Sequence, residues 1–173
     1  MIGKRLIFAC LILASCSGTE KGTGIKYQDL KEFFHEEAIR LEKQKARVNK
    51  TVSRNGVSES RENVSPDWDT ELSLFTGSDI NKPAWTDSYT VRNHSSSTSY
   101  TALDSKLRTR SILIKKNKSG RIIELAVVNR TKNYLYSSSE ELLYIPDSLY
   151  RIIKKQDVIL LGNNSYEISG IFK

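Results

Sequence analysis

Apolar residues follow a helical rhythm near the amino end and a strand rhythm through the carboxyl half. Tyr27, Leu30, Phe34, Ala38 and Leu41 recur at steps of three and four, with Phe33 widening the stripe, which predicts an amphipathic helix from Tyr27 to about Arg47. Glu36 stands four residues before Arg40, a weakly stabilising pair. Polar residues interrupt the stripe after Leu41, so it suits packing on a sheet better than a coiled coil. Arg54-Asn55-Gly56-Val57 is a type I′ turn signal, because Asn-Gly tolerates positive φ at both central positions. Its flanks, Val48–Ser53 and Ser58–Val64, alternate loosely and predict a short, exposed hairpin. Ser65-Pro66 predicts a second helix capped by the serine, with Asp67 and Asp69 at the positive end of its dipole. Trp68, Leu72 and Phe75 share its inner face, and Gly77 is expected as a left-handed stop.

From about Tyr89 the pattern changes to strands. Arg110–Lys115, Arg121–Arg130, Asn133–Tyr136, Glu140–Ile145, Leu149–Ile153, Val158–Leu161 and Tyr166–Phe172 are rich in Ile, Val, Leu and Tyr. The intervening turns are read at Asn117-Lys118-Ser119-Gly120, Thr131-Lys132, Pro146-Asp147-Ser148 and Gly162-Asn163-Asn164, with Ser95–Ser99 as a polar loop tip. Connections this short require antiparallel neighbours. The expected fold class is α+β: an amphipathic helix and a short second helix packed on a six- to seven-stranded antiparallel meander, strongly curved in one version. The alternative is a closed or half-closed barrel around a cavity.

The first sixteen residues carry a different pattern. Lys4-Arg5 precedes Leu6–Ala14, nine uncharged and mostly apolar residues that include Cys10, and Leu13-Ala14-Ser15-Cys16 follows directly. As a helix the apolar run would extend ~14 Å, about half the ~30 Å of a hydrocarbon core. It suits a secretory signal better than a permanent span. Leu13 fits an apolar subsite, Ala14 and Ser15 are small enough to pass a peptidase in extended form, and the Cys16 thiol can carry a thioether. The segment resembles the lipobox of bacterial lipoproteins cut by the type II signal peptidase, and the whole chain is similar to small envelope lipoproteins that join such a box to a compact α+β domain. The resemblance implies that Leu13, Ala14 and Ser15 are recognised, that Cys16 is diacylglycerylated, and that its freed amino group is commonly acylated too. The expected organisation is a signal peptide at 1–15, a lipidated cysteine and flexible tether at 16–25, and one domain at 26–173. The expected location is the bacterial cell envelope, on the outer membrane where there is one.

Composition narrows the picture modestly. The chain has 173 residues and a net charge of +7; loss of Lys4 and Arg5 with the leader leaves 25 basic against 20 acidic residues. That mild excess suits anionic lipid headgroups or glycans, whereas nucleic acid is a poor match for an exported protein. Cys16 is the one cysteine after cleavage, so a lipidated chain can form no internal disulfide.

Candidate chemistry is sparse. His35-Glu36-Glu37-Ala38-Ile39 begins like a zinc-protease helix but has Ile39 where the second ligand belongs. His94 has no neighbouring histidine or cysteine in sequence. No Gly-x-Ser-x-Gly elbow or phosphate-binding Gly-Lys-Ser/Thr loop occurs. Glu140 and Glu141 are adjacent in a strand and should face opposite sides; Asp67 and Asp69 already serve a helix start. No metal or cofactor is expected. Arg108, Arg110, Lys115, Lys116 and Lys118, with Lys106 and Arg121 beside them, concentrate charge around one hairpin and are the candidates for contact with an anionic surface. The reading that follows is a non-catalytic, lipid-anchored envelope module contacting another envelope protein or an anionic lipid or glycan. A lipocalin-like carrier of a small apolar ligand is the alternative, and a hydrolase ranks last.

Overall fold

The computed structural model describes residues 26–159 and 162–173. The expected leader, Cys16 and the tether to residue 25 lie outside the described residues.

Helix α1 (Leu30–Lys43) is shorter than its apolar stripe, and local chemistry explains both ends. The Asp29 carboxylate caps the start by accepting from Glu32 N–H at 2.8 Å, while Asp79 accepts from Leu30 N–H at 2.8 Å. At the other end Lys45 turns left-handed with φ 51°. There Lys45 N–H donates to the Glu42 carbonyl and Ala46 N–H to that of Leu41, the paired bonds of a Schellman stop made without glycine. Strands β1 (Val48–Arg54) and β2 (Val57–Val64) flank Asn55 and Gly56, whose φ angles of 51° and 85° make the expected type I′ turn. The second predicted helix is two single turns, α2 (Trp68–Glu71) and α3 (Ser73–Thr76), separated at Leu72. Asp67, not Ser65, caps it, accepting from Thr70 N–H at 2.9 Å. Gly77 is right-handed, with φ −69°, so the expected left-handed stop is absent there. A 3₁₀ turn at Pro83–Trp85 leads into the remaining strands.

Those strands are β3 (Tyr89–Asn93), β4 (Ser97–Ala102), β5 (Thr109–Lys116), β6 (Ile122–Lys132), β7 (Tyr136–Ile145), β8 (Leu149–Val158) and β9 (Gly162–Phe172). All nine join one antiparallel sheet in the order β2-β1-β9-β8-β7-β6-β5-β4-β3. The α+β class with an antiparallel sheet stands, but with more strands than expected. The hairpin β1–β2 is part of the sheet, because β1 pairs with β9 along its length. The two ends of the order, β2 and β3, do not pair with each other, so among the described residues the sheet is not a closed barrel.

One face of the sheet is covered. Phe34 of α1 packs against Phe75 at 4.9 Å and Tyr144 at 5.3 Å between ring centres. Trp68 stacks on Phe172 at 5.4 Å with planes 13° apart. Beneath them, Ile114, Leu125, Tyr144, Tyr150 and Gly170 lie side by side across five strands. Gly170 is required by proximity: a Cβ there would sit 2.2 Å from the Tyr150 ring.

Several turn assignments fail for one physical reason. Thr131-Lys132 reads as a turn yet continues β6, and the polar run from Lys154 to Asp157, between two expected strands, continues β8. The strands extend past the helices, so their inner positions there are polar and the alternation that marks a strand disappears. The actual turn between β6 and β7 is Asn133–Leu135, inside the segment expected as a strand. Gly162-Asn163-Asn164 belongs to β9, and Ser97–Ser99 belong to β4 rather than to a loop.

Candidate functional site

The antiparallel topology gives the sheet two distinct ends. At the Pro146 end lie the connections β3–β4, β5–β6 and β7–β8, together with the carboxyl end of α1. At the Tyr134 end lie β1–β2, β4–β5, β6–β7 and β8–β9.

Three carboxylates fasten the helical layer to the sheet. Glu37 of α1 accepts from the Tyr144 hydroxyl and from Arg40 Nε and Nη2 at 2.8 and 2.6 Å; Arg40 also pairs with Asp147 at 2.8 Å. Glu71 accepts from the Tyr150 hydroxyl at 2.6 Å and pairs with Lys50 at 2.6 Å. Glu140 pairs with Arg108 at 2.6 Å and Lys154 at 3.4 Å, and accepts from Asn129 Nδ2 at 3.2 Å. Asn129 in turn donates to Ser78 Oγ at 2.9 Å. Burial, reinforced by the neighbouring carboxylates Glu37 and Glu71, raises the Tyr144 and Tyr150 phenols well above the ordinary tyrosine range. Burial also pushes Tyr89 up to about 12 against an opposing effect of Arg110. These phenols stay protonated and donate, so the Glu37 and Glu71 assemblies read as structural nodes, whereas Asn129 Oδ1 beside Glu140 is buried without a hydrogen-bond partner.

The structure separates the basic residues singled out from the sequence. Arg108 lies on the covered face with Glu140, its Nη1 donating to the Gly77 carbonyl at 3.0 Å. Arg110 donates to the Asp104 carbonyl. Lys115 pairs with Glu124 at 2.9 Å, and Lys116 donates to Gln28 Oε1 at 3.0 Å. Lys118 is exposed in the β5–β6 turn. Eight residues of strand, ~26 Å at ~3.3 Å each, separate Arg108 from Lys116, so the five do not form one patch.

Two concavities frame the ends. At the Pro146 end an open cleft of about 880 Å³ runs between α1 and the β5–β6 and β7–β8 turns, with Phe33, Ile122, Ile123 and Ile145 as its apolar lining and Arg40, Lys116 and Arg121 as its cations. At the Tyr134 end a groove of about 540 Å³ is lined by Arg130, Ser137, Ser139, Lys155, Asn163 and Ser165, among others. Sequence reasoning did not find this groove. Its members come from β6 to β9, from stretches partly read as turns, and the cross-strand register Arg130–Ser139–Lys155–Ser165 brings them together.

Above that groove the turns are apolar. Tyr134 is 89% exposed and Leu135 and Ile159 63% each, and the two hairpins touch where Ile159 N–H donates to the Leu135 carbonyl at 3.2 Å. Leu103 and Val57, at the same end, are 67% and 76% exposed. The sequence continues from Ile159 with two leucines before Gly162.

Glu140 is buried and Glu141 exposed, so adjacent positions diverge as the strand period requires. His35 and Asp69 approach to 4.0 Å with both side chains largely exposed, and His94 is exposed in the β3–β4 turn. Among the described residues no group of three His, Cys, Asp or Glu could hold a metal ion, and no helix is long and apolar enough to cross a membrane. No protein-family model, no curated protein and no solved structure matches the chain.

Proposed function

We propose that this chain is a lipid-anchored protein of the bacterial cell envelope whose domain acts by binding rather than by catalysis. The observation that carries this reading is the order of features in the first sixteen residues: Lys4-Arg5, the apolar run Leu6–Ala14, and Leu13-Ala14-Ser15-Cys16. Two or three acyl chains on Cys16, each methylene worth ~0.8 kcal/mol in lipid, would hold the protein at the surface without a protein span. Glu37, Glu71 and Glu140 are each engaged with tyrosines or cations, which favours a structural role for them over acid–base work. Intact-mass measurement of the purified mature chain is the test. The wild type should begin at Cys16 and carry an added diacylglyceryl mass, and Cys16→Ala should lose both the mass and the cleavage. A mature chain without that mass, or unchanged processing of Cys16→Ala, would overturn the assignment.

A second reading, a carrier of a small apolar molecule, draws on the cleft at the Pro146 end. Its volume of about 880 Å³ and its floor of Phe33, Ile122 and Ile145 are of the kind that accept such ligands. A small molecule co-purifying in stoichiometric amount would favour this reading.

A further inference from the structure

We infer that the Tyr134 end of the sheet seats in the headgroup layer of an anionic phospholipid membrane, the one to which Cys16 is anchored. The inference deepens the lipid-anchor reading and rests on it for the identity of the membrane.

Exposed turns are ordinarily polar, because an apolar tip gains nothing from water. The Pro146 end obeys that rule with His94-Ser95-Ser96, Asn117-Lys118-Ser119-Gly120 and Pro146-Asp147-Ser148. The Tyr134 end departs from it in three connections, through Leu103, the Tyr134-Leu135 pair and Ile159, with Val57 exposed beside the Asn55-Gly56 turn. Tyrosine with aliphatic neighbours suits the boundary between headgroups and acyl chains, where a ring is half wet and half dry. A hairpin tip entering only ~5–10 Å keeps its unpaired backbone groups within reach of headgroup water, so no spanning structure is needed.

Cations flank these tips, as Arg40, Lys116 and Arg121 flank the Pro146 cleft, so the apolar turns and not charge distinguish the two ends. Lys106, Arg130, Lys132 and Lys155 surround the tips against Asp104 and Asp157, an excess suited to anionic headgroups. Asp104 is already engaged, accepting from Lys106 N–H at 2.8 Å. The groove of Arg130, Ser139, Lys155 and Ser165 directly behind the tips offers cations and hydroxyls to a phosphate. The described chain enters beside the start of β3, and Gln28 then reaches Lys116 toward the Pro146 end. Lys26 pairs with Asp87 at 2.5 Å, and the next residue, Ser88, accepts from Leu103 N–H at 2.9 Å. The stretch of chain from Cys16 to Lys26 can span at most ~35 Å. A tether of that reach leaves the apolar tips within range of the bilayer that acyl chains on Cys16 would enter.

The test uses the lipidated full chain reconstituted into phosphatidylglycerol–phosphatidylethanolamine vesicles with brominated acyl chains. Tyr134→Trp places a fluorophore at the tips and Ser119→Trp places one at the opposite end; the wild-type signal from Trp68 and Trp85 is subtracted. The inference expects at least about twofold quenching for Tyr134→Trp, little for Ser119→Trp, and a weaker effect for Tyr134→Trp in neutral phosphatidylcholine. Leu135→Glu with Ile159→Glu, added to Tyr134→Trp, should abolish the quenching while leaving thermal melting nearly unchanged. Vesicle-bound protein whose Tyr134→Trp signal is unquenched, or quenched no more than Ser119→Trp, would overturn the inference and leave the anchor intact. Equal quenching in neutral vesicles would overturn its anionic component, and a dimer in solution that shields the tips would replace the membrane with a second copy. Failure of the wild type to float with vesicles would instead count against the anchor.

Discussion

The two ends of the sheet invert each other's chemistry. At the Pro146 end the inner face is apolar, α1 lies across it, and the turns that reach water are polar. At the Tyr134 end the inner face carries Asn129, Ser138, Glu140, Lys154 and Gln156, with Ser78 and Arg108 reaching Asn129 and Glu140, and the turns expose Tyr134, Leu135 and Ile159. One end is built to exclude water from within the molecule. The other presents its apolar groups outward, where they contribute nothing to folding. Stability and surface recognition are thus placed at opposite ends of the same strands.

A matched pair of truncations would break this comparison most forcefully. Phe34 is 1% exposed and sits between Phe75 and Tyr144, so Phe34→Ala should cost about 3–5 kcal/mol in chemical denaturation. Leu135→Ala, at a residue 63% exposed, should change stability by less than about 0.5 kcal/mol. Comparable losses at the two positions would mean that the tips belong to the folding core after all.

A smaller effect sharpens the contrast at the Pro146 end. Glu37→Gln removes the charge that Arg40 faces while keeping an acceptor for the Tyr144 hydroxyl. Arg40 retains Asp147 and is about a third exposed, so the loss should be about 1–3 kcal/mol rather than that of a fully buried pair. A urea midpoint unchanged by Glu37→Gln would show that the node is a surface contact and not a fastening.

Much of the fold was legible in the sequence. The stripe of Leu30, Phe34, Ala38 and Leu41, the type I′ signal at Asn55-Gly56 and the divergence of Glu140 from Glu141 all follow from fixed geometric periods. The helix terminus at Lys45 was not legible, because a left-handed lysine leaves no glycine in the sequence. The lengths of β6 and β8 were hidden for a related reason: Lys154 and Gln156 are polar inner-face residues, so the apolar pattern broke off at Ile153 while the strand runs on to Val158. The joining of β1 to β9 depends on pairing over more than a hundred residues, which no local pattern encodes. The basic cluster looked coherent because sequence distance is short where strand distance is long, and Arg108 proved to be held by Glu140. The Arg130–Ser139–Lys155–Ser165 groove required the register itself.

Hydrogen–deuterium exchange of the lipidated protein, free in detergent and bound to phosphatidylglycerol-containing vesicles, tests the division between the ends most directly. Membrane binding should slow exchange in peptides covering Asn133–Leu135 and residues 159–162 and leave those covering Asn117–Gly120 and Pro146–Ser148 unchanged. Slowing at the Pro146 end, or equal exchange in both states at Tyr134 and Leu135, would contradict it.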